Sequence, residues 1–227
     1  MPFDVSAIPQ VLWKCPICNI EEGLKVKTEG LVFKKHWIVC ESCGAKWADP
    51  SKNDGMTLIQ GPAEHLGFRD LNGWYNLANW QIQLAPIEVS VPIIIKKGEA
   101  VLKLGRADHF KSKTRRVRSA GSYSGVSFKV AKGVRFSTGG YSPGPAQSVE
   151  ETVKDDEGEF ILTNKRLIFN GNRKPVNMDL KKIIAIDVEN GYLEVGYGQK
   201  THLFRFPSDS MFKWQAYTLG AIKAFCD

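Results

Sequence analysis

The spacing of apolar residues changes twice along this chain of 227 residues. Apolar and polar side chains alternate over residues 24–40 in two short runs with Glu29 and Gly30 between them, and this pattern predicts a β-hairpin. The stretch 49–68 is rich in turn-forming residues and shows little period, so we interpret it as a connector. The connector leads into a region where apolar residues follow a different spacing.

A short amphipathic helix is predicted after the connector. Asp70 is placed to cap its start, and Pro86 lies beyond its end. Trp74 and Trp80 on this helix either form a face that binds a partner or pack between two modules, and we favour the packing. The apolar residues that recur at helical spacing are Leu71, Trp74, Tyr75, Ala78 and Ile82.

From residue 87 onward the period is two, which is typical of strands. Nine short alternating runs, separated by Gly, Asn, Asp or Ser, predict an antiparallel sheet. The runs are EAVLKLG, GVSFKV, GVRFST, GEFILT, KRLIFNG, KPVNMDL, KKIIAIDV, YLEVGYG and THLFRF. Pro207 then opens a segment of helical period, which predicts a terminal helix over 207–226. Its expected apolar face consists of Phe212, Ala216, Leu219, Ile222 and Phe225.

Composition narrows the class of protein. Apolar residues make up 43% of the chain, which is enough for a packed core. The longest nearly apolar run, VSVPIII at 89–95, is much shorter than the roughly 18 residues of a membrane-spanning helix. The start MPFDVSAIPQ lacks the charged and apolar blocks of a secretion signal. We therefore expect a cytoplasmic protein that does not span a membrane, with peripheral attachment as an option.

The net charge of +7 is concentrated in the middle of the chain. Residues 81–147 carry 12 Lys and Arg against 3 Asp and Glu, whereas the regions on either side are close to neutral. Such a concentration suggests a partner that is an anion: a phosphate, a lipid headgroup or a nucleic acid. The densest part gives five candidate anion-binding residues, which are Lys111, Lys113, Arg115, Arg116 and Arg118.

Four of the five cysteines form two Cys-x-x-Cys pairs. Cys15 and Cys18 make the first pair, Cys40 and Cys43 make the second, and 21 residues separate the two. This spacing is close to that of a four-thiolate zinc site. The alternatives are two disulfides or ordinary buried thiols, and the missing secretion signal argues against disulfides. The fifth cysteine, Cys226, lies outside the motif and is expected to be a core or frayed thiol.

A residue that tolerates positive φ, Asn19 or Gly44, follows each pair. With the predicted hairpin between the pairs, this pattern resembles a zinc ribbon over residues 10–50. The resemblance implies one structural zinc ion held by four thiolates, without an open position for water. Iron in a rubredoxin-like site is the main rival metal.

The segment GEFILTNKRLIFNG at 158–171 carries a second resemblance. It is similar to the signature hairpin of the bacterial PH-like and GRAM families, in which a strand ending in Leu-Thr is followed by Asn, a basic pair and a Leu-Ile-Phe strand. We expect Leu167 and Phe169 to face one side of the sheet, and Arg166 and Ile168 the other. The similarity extends over about residues 95–227 and implies a fold more firmly than a function.

The predicted fold is mainly β: a zinc ribbon at 1–50, a linker with a short amphipathic helix at 51–86, and a PH-like β-barrel at 87–227 that ends in a C-terminal helix. The resemblance implies that the helix covers the open end of the barrel. It also implies that the basic run lies in or beside the first two strands, where PH domains that bind phosphoinositides hold the lipid headgroup. Two other interpretations of the run remain open, a solvated edge strand that resists aggregation and a nucleic-acid surface.

Known catalytic patterns do not fit this chain. The sequence GYSPG at 140–144 matches the Gly-x-Ser-x-Gly elbow of serine hydrolases, but Pro143 lacks the N–H that the oxyanion hole requires, so we predict a loop. We therefore expect no enzymatic activity. The hypothesis is a zinc-binding adaptor or interaction protein whose PH-like domain binds a protein partner or an anionic membrane surface. The alternative is a nucleic-acid-binding or transcription-associated zinc-ribbon protein, which we rank lower because the ribbon carries no basic excess.

Overall fold

The fold is described from a computed structural model. It describes residues 5–30, 35–48, 55–79, 82, 84–118, 122–131, 134–142 and 146–226. For residues 64, 79 and 114–150 within these ranges, the backbone alone is described.

The first sheet contains five antiparallel strands in sequence order. They are β1 (Leu24–Glu29), β2 (Lys35–Cys40), β3 (Lys46–Ala48), β4 (Gly55–Gln60) and β5 (Phe68–Asp70). The predicted hairpin is confirmed, because β1 pairs with β2 from Leu24 opposite Cys40 to Glu29 opposite Lys35. The connector prediction for 49–68 is wrong, because β4 pairs with β3 and β5 pairs with β4. These short strands are specified by the neighbouring strand more than by their own period.

Two helices belong to the same region, α1 (Ile8–Val11) and α2 (Leu71–Asn79). The predicted cap of α2 is confirmed, since Asp70 Oδ1 accepts a hydrogen bond of 2.7 Å from the N–H of Gly73. The helix ends earlier than the apolar pattern predicts, and Trp80 lies outside the described residues.

Trp74 on α2 is fully buried against the first sheet. Its indole N–H donates to the carbonyl of Met56 at 2.9 Å, and its ring meets that of Trp47 edge to face at 5.8 Å. Tyr75, the next residue, contacts Phe212 at a ring distance of 6.2 Å. Trp74 therefore packs in a core, as the favoured interpretation predicts, while its position between two modules stays a prediction.

All nine strands predicted from period two are present. They are β6 (Val101–Arg118), β7 (Ser122–Ala131), β8 (Val134–Ser142), β9 (Ala146–Thr163), β10 (Arg166–Gly171), β11 (Pro175–Asp179), β12 (Ile183–Glu189), β13 (Tyr192–Tyr197) and β14 (Lys200–Arg205). Seven of them form one sheet in the order β11-β10-β9-β6-β14-β13-β12, and β7 pairs with β8. The loop predicted at 140–144 is wrong for residues 140–142, which belong to β8, and 143–144 lie outside the described residues.

The seven-stranded sheet is open within the described residues. Strands β11 and β12 stand at its two ends, and within the described residues no pairing between them closes a barrel. A 3₁₀ turn at Leu180–Lys182 links the two end strands, and the carboxylate of Asp179 caps this turn through the N–H of Lys181 at 3.0 Å. The predicted β-rich fold is therefore confirmed, while the closed barrel is not seen.

The chain forms two compact units, one of residues 1–109 with 156–227 and one of residues 110–155. The first unit holds the five-stranded sheet and most of the seven-stranded sheet. The second contains the β7–β8 hairpin, paired from Ser122 opposite Ser142 to Ala131 opposite Val134. The domain limits predicted at 50 and 86 stay predictions.

The seven-stranded sheet buries apolar residues on both faces. Leu167 and Phe169 lie in the main core, whereas Ile168 lies in a smaller cluster on the other face, as the alternation in β10 predicts. The smaller cluster is covered by Val91 and Ile93, which precede β6. The main core consists of Leu102, Ala107, Phe160, Leu162, Leu167, Phe169, Met178, Leu180, Ile186, Leu193, Val195, Phe204, Phe206, Trp214 and Ala221.

The terminal helix α3 (Met211–Phe225) is confirmed, and Ser210 caps its start. The predicted apolar face is confirmed at Ala216, which is buried, and at Ile222, which packs against the main core. It is wrong at Leu219 and Phe225, which are exposed, and it omits Trp214, which is fully buried. The ring of Trp214 stacks on Phe206 at 5.2 Å. Two sets of contacts set the buried face of the helix. Aromatic residues of the core pack against Trp214, and carboxylates bind the buried Lys213, as described below.

The signature hairpin turns between β9 and β10 around a buried ion pair. Glu99, whose side chain is fully buried, accepts two hydrogen bonds from the guanidinium of Arg166, at 2.7 and 3.0 Å. It also accepts one from the hydroxyl of Thr163 at 2.8 Å. Asn164 Oδ1 accepts from the N–H of Ala100 at 2.9 Å. The Thr-Asn-Lys-Arg sequence thus fixes the segment that enters β6.

Candidate metal centre

The four paired cysteines converge at one end of the β1–β2 hairpin. Their sulfur atoms all lie within 4.8 Å of one another, with 3.9 Å between Cys15 and Cys43 and 3.7 Å between Cys18 and Cys40. Cys15 and Cys40 are buried, and Cys18 and Cys43 are half-buried. This is the geometry of a site for a single metal ion, formed by residues that the sequence spacing singled out.

The two pairs have the same backbone geometry. In the first, the N–H of Asn19 donates to the carbonyl of Cys15 at 2.9 Å, and in the second the N–H of Gly44 donates to that of Cys40 at 3.0 Å. Asn19 has φ 63° and Gly44 has φ 71°, so both predicted positive-φ positions are confirmed. Each knuckle therefore closes by the same local turn, because Asn and Gly adopt the left-handed conformation at a lower cost than other residues.

The distances between sulfur atoms fit a tetrahedral ion. Four thiolates at about 2.3 Å from a central zinc are separated by about 3.8 Å from one another. The two distances above are close to this value, and both are far longer than the roughly 2.05 Å of a disulfide bond. The disulfide alternative is therefore wrong, since none of the five cysteines forms a disulfide bond.

The cluster is a poor environment for neutral, unliganded thiols to ionise. Burial raises the pKa of Cys15 far above its usual range, and burial also raises that of Cys43. Burial would raise the pKa of Cys18 too, but the hydrogen bonds of its sulfur to the backbone of Ile20 and to the other sulfurs lower it. A cation at the centre would supply the positive charge that stabilises four thiolates held this close together.

The residues that follow the first knuckle bind the terminal helix. Lys213 of α3 has a side chain only 6% exposed, and its ammonium lies 3.1 Å from Glu21, 2.5 Å from Glu22 and 3.0 Å from Asp209. These carboxylates explain how a lysine can be buried on the helix, since each desolvated charge has a partner. They raise the pKa of Lys213, although burial opposes them.

Glu21 accepts two further contacts. The ammonium of Lys103 on β6 lies 3.0 Å from it, and the hydroxyl of Tyr217 on α3 donates to its other oxygen. Burial alone would raise the pKa of Glu21, but the hydrogen bonds of Tyr217, Lys103 and Lys213 lower it to about 2. A carboxylate three residues before the hairpin is thereby shared between β6 and α3.

Backbone conformation lets two successive carboxylates reach one lysine. In an extended strand Glu21 and Glu22 would point to opposite faces. Glu22 has φ 59°, and its N–H donates to the carbonyl of Trp13 at 2.7 Å. The turn brings both side chains to Lys213. Nothing in the periodicity identifies this network, and the signal that could have hinted at it is an acidic pair directly after a cysteine knuckle.

The predicted anion-binding residues are not gathered into one described site. Lys111 and Lys113 are exposed on β6, and Lys111 forms an ion pair of 2.5 Å with Asp155. The backbones of Arg115, Arg116 and Arg118 continue β6, but their side chains lie outside what the structure describes. Strand β6 stands between β9 and β14 in the order of the sheet, but β14 has only six residues against 18 in β6, so the edge-strand interpretation of the run stays a prediction.

Within the part of the chain that the structure describes, no helix is both long and apolar enough to cross a membrane. Comparison with models of protein families, with curated proteins and with solved structures finds no match.

Proposed function

We propose that this is a non-enzymatic interaction protein in which a structural zinc ion maintains a ribbon that is anchored to a PH-like domain. The observation that carries the proposal is the direct succession of Cys15, Cys18, Glu21 and Glu22: the knuckle that would hold the metal also presents the carboxylates that hold Lys213. Binding of metal and anchoring of the terminal helix therefore depend on the same turn.

Zinc is the metal that we propose for the site. A tetrahedral set of four thiolates suits zinc or iron, and zinc is the usual ion of small ribbons. Cys15, Cys18, Cys40 and Cys43 would hold it. When bound, it would supply folding free energy to the ribbon in addition to that of its apolar core. Since all four positions are thiolates, the proposed role is structural.

The PH-like assignment is likewise a proposal. It is supported by seven strands, β6 and β9 to β14, that form one sheet and are followed by a single helix packed on the core. The hairpin of β9 and β10 carries the motif that resembles these families, and the ion pair of Glu99 with Arg166 gives that motif a structural reason. The ribbon at 1–50 and the domain at 87–227 are the proposed modules.

The proposed ligand of the basic run is an anionic membrane surface or an anionic partner. Lys113 is exposed, and the surplus of charge in 81–147 stands on an otherwise neutral chain. The protein would then be cytoplasmic and attach peripherally to a membrane, each basic residue near the surface adding about 1 kcal/mol. Nucleic acid is the second candidate, favoured by the wide occurrence of zinc ribbons in transcription proteins but not by the acidic pair at Glu21 and Glu22.

One set of variants tests this proposal. We expect the purified protein to bind anionic liposomes with an affinity that falls as salt rises, and replacement of Lys113, Arg115, Arg116 and Arg118 by Ala to abolish this binding without changing the melting temperature. A control with the same change in charge replaces Lys25, Lys27, Lys200 and Lys223 by Ala. Retention on DNA or RNA with a steep salt slope, and no response to lipid, would favour the nucleic-acid candidate. No binding to any of these ligands would refute a role for the run in anion binding.

A further inference from the structure

A second basic surface lies in the first compact unit, on residues separate from the run at 111–118. It surrounds a cavity of about 570 Å³ between the β9–β10 turn, the 3₁₀ turn at Leu180–Lys182 and the end of α3. This volume is in the range of cavities that hold ligands. We call it the lysine groove and define it by Lys96, Lys165, Lys181, Lys182, Tyr197 and Phe225.

The positive charge of the groove is available to a ligand. Lys96, Lys181 and Lys182 are exposed, and in the described part of the chain no carboxylate lies within ion-pairing distance of their ammonium groups. Asp179 lines the groove, but one of its oxygens caps the 3₁₀ turn. An anion that enters the groove would therefore meet three lysines that have no ion-pair partner among the described residues.

The nearby arginine is already occupied. Arg166 lines the groove, yet its guanidinium binds Glu99 through two hydrogen bonds. The ammonium of Lys165 donates to the carbonyl of Lys97 at 2.6 Å. The turn thus fixes the wall of the groove, and the free lysines act as point charges on its rim.

Apolar side chains lie in and beside the groove. Tyr197 and Phe225 line it, and Phe225 is 41% exposed. Ile184 on β12, two residues after Lys182, is 72% exposed, and Ile94, whose carbonyl accepts a hydrogen bond from Arg166, is 89% exposed. A peptide segment would cover the lysines and these apolar side chains together, whereas a small polar anion would leave the isoleucines in water.

We propose that the lysine groove docks an acidic peptide segment of a partner protein, with its carboxylates at Lys96, Lys181 and Lys182 and an apolar side chain against Phe225 and Ile184. Charge complementarity selects this occupant, and the exposed isoleucines favour a peptide over a phosphate compound. The inference deepens the proposed interaction function by naming a partner class, but it uses residues distinct from the basic run.

The test measures binding of a fluorescently labelled peptide of glutamate and leucine residues to the full chain by anisotropy. In the groove variant, Lys96, Lys181 and Lys182 are each replaced by Glu. The matched control replaces Lys25, Lys27 and Lys200 by Glu, and a further variant, Ile184→Ser, tests the apolar contact. Circular dichroism and urea unfolding verify that each variant is folded. The quadruple alanine variant of the basic run is measured in parallel, as is binding to anionic lipid vesicles.

We expect the wild type and the charge control to bind the peptide with similar affinity, the groove variant to lose at least about tenfold, and Ile184→Ser to weaken binding without a change in its salt dependence. Equal binding by wild type and groove variant would overturn the inference. Vesicle binding that depends on the groove, without peptide binding, would also overturn it in favour of a membrane. Peptide binding that is lost only in the basic-run variant refutes the groove but leaves the proposed function standing, and binding of neither probe refutes both.

Discussion

Replacement of Lys213 by Met is the sharpest test of how the ribbon is held. Methionine keeps the length and packing of the lysine stem but removes the ammonium that three carboxylates share. Removal of one partner from a buried ion pair costs about 3–5 kcal/mol. Two observations reduce this figure. Glu22 is 60% exposed, so water screens its interaction with Lys213, and Glu21 still has an ion pair with Lys103 after the substitution. We expect a loss of about 2–3 kcal/mol in the free energy of unfolding.

Urea unfolding followed by tryptophan fluorescence measures this loss. Trp214 donates to Asp209 at 3.1 Å, and Trp13 lies 5.6 Å from the ring of Tyr217, so both report on the interface. The matched control is Lys200→Met, at the exposed start of β14, which we expect to change stability by less than about 0.5 kcal/mol. A double-mutant cycle with Glu21→Gln separates the pair from its surroundings. A loss in Lys213→Met no larger than in the control would refute the reasoning.

The same network predicts a dependence on pH. The pKa of Glu21 is about 2 in the folded protein against an ordinary value of 4.5. Because the folded-state pKa is the lower one, the stabilisation is fully present above the ordinary value and is lost as the pH falls toward about 2. We expect stability to fall less steeply over this window in Lys213→Met than in the wild type, as measured by unfolding at several pH values. Equal slopes would contradict the assignment of this titration to the interface.

Three further predictions concern the metal site and the signature hairpin. Elemental analysis should find one zinc per chain, lost in Cys15→Ser but retained in the control Cys226→Ser; a chain without zinc or iron would refute the metal assignment. Glu99→Gln should cost about 3 kcal/mol in urea unfolding, because it leaves the guanidinium of Arg166 without its buried counter-charge, and a cost below about 1 kcal/mol would contradict this. Gly44→Ala should cost about 1 kcal/mol of stability because Gly44 has φ 71°; crowding adds nothing, since no atom lies within 4 Å of the added methyl group. Asn19→Gly should be close to neutral, and thermal melting of the metal-loaded protein distinguishes the two variants.

The parts of the fold that the sequence predicts are those encoded by local spacing. Alternation in β10 correctly places Leu167 and Ile168 on opposite faces, because a strand alternates its side chains wherever it lies. The knuckles are equally local, since Asn19 and Gly44 close turns within a few residues of the cysteines. For the same reason the cap at Asp70 could be read from its position before the helix.

The parts that could not be predicted depend on distant residues. Strands β4 and β5 exist because β3 pairs with β4, which composition does not show. The buried face of α3 includes Lys213, a residue that any hydropathy pattern assigns to solvent. Its partners Glu21 and Glu22 lie about 190 positions earlier, so neither end of the pair hints at the other. The closed barrel was expected from resemblance alone, which carries no information on how the end strands meet.

The separation of 191 residues between Glu22 and Lys213 has a consequence for synthesis of the chain on the ribosome. At about 5–20 residues per second, Glu22 is made roughly 10–40 s before Lys213. All four thiols, by contrast, lie within residues 15–43 and are present together almost at once. The four cysteines of the nascent ribbon can therefore come together while its acidic edge is still solvated, and docking onto the helix follows much later.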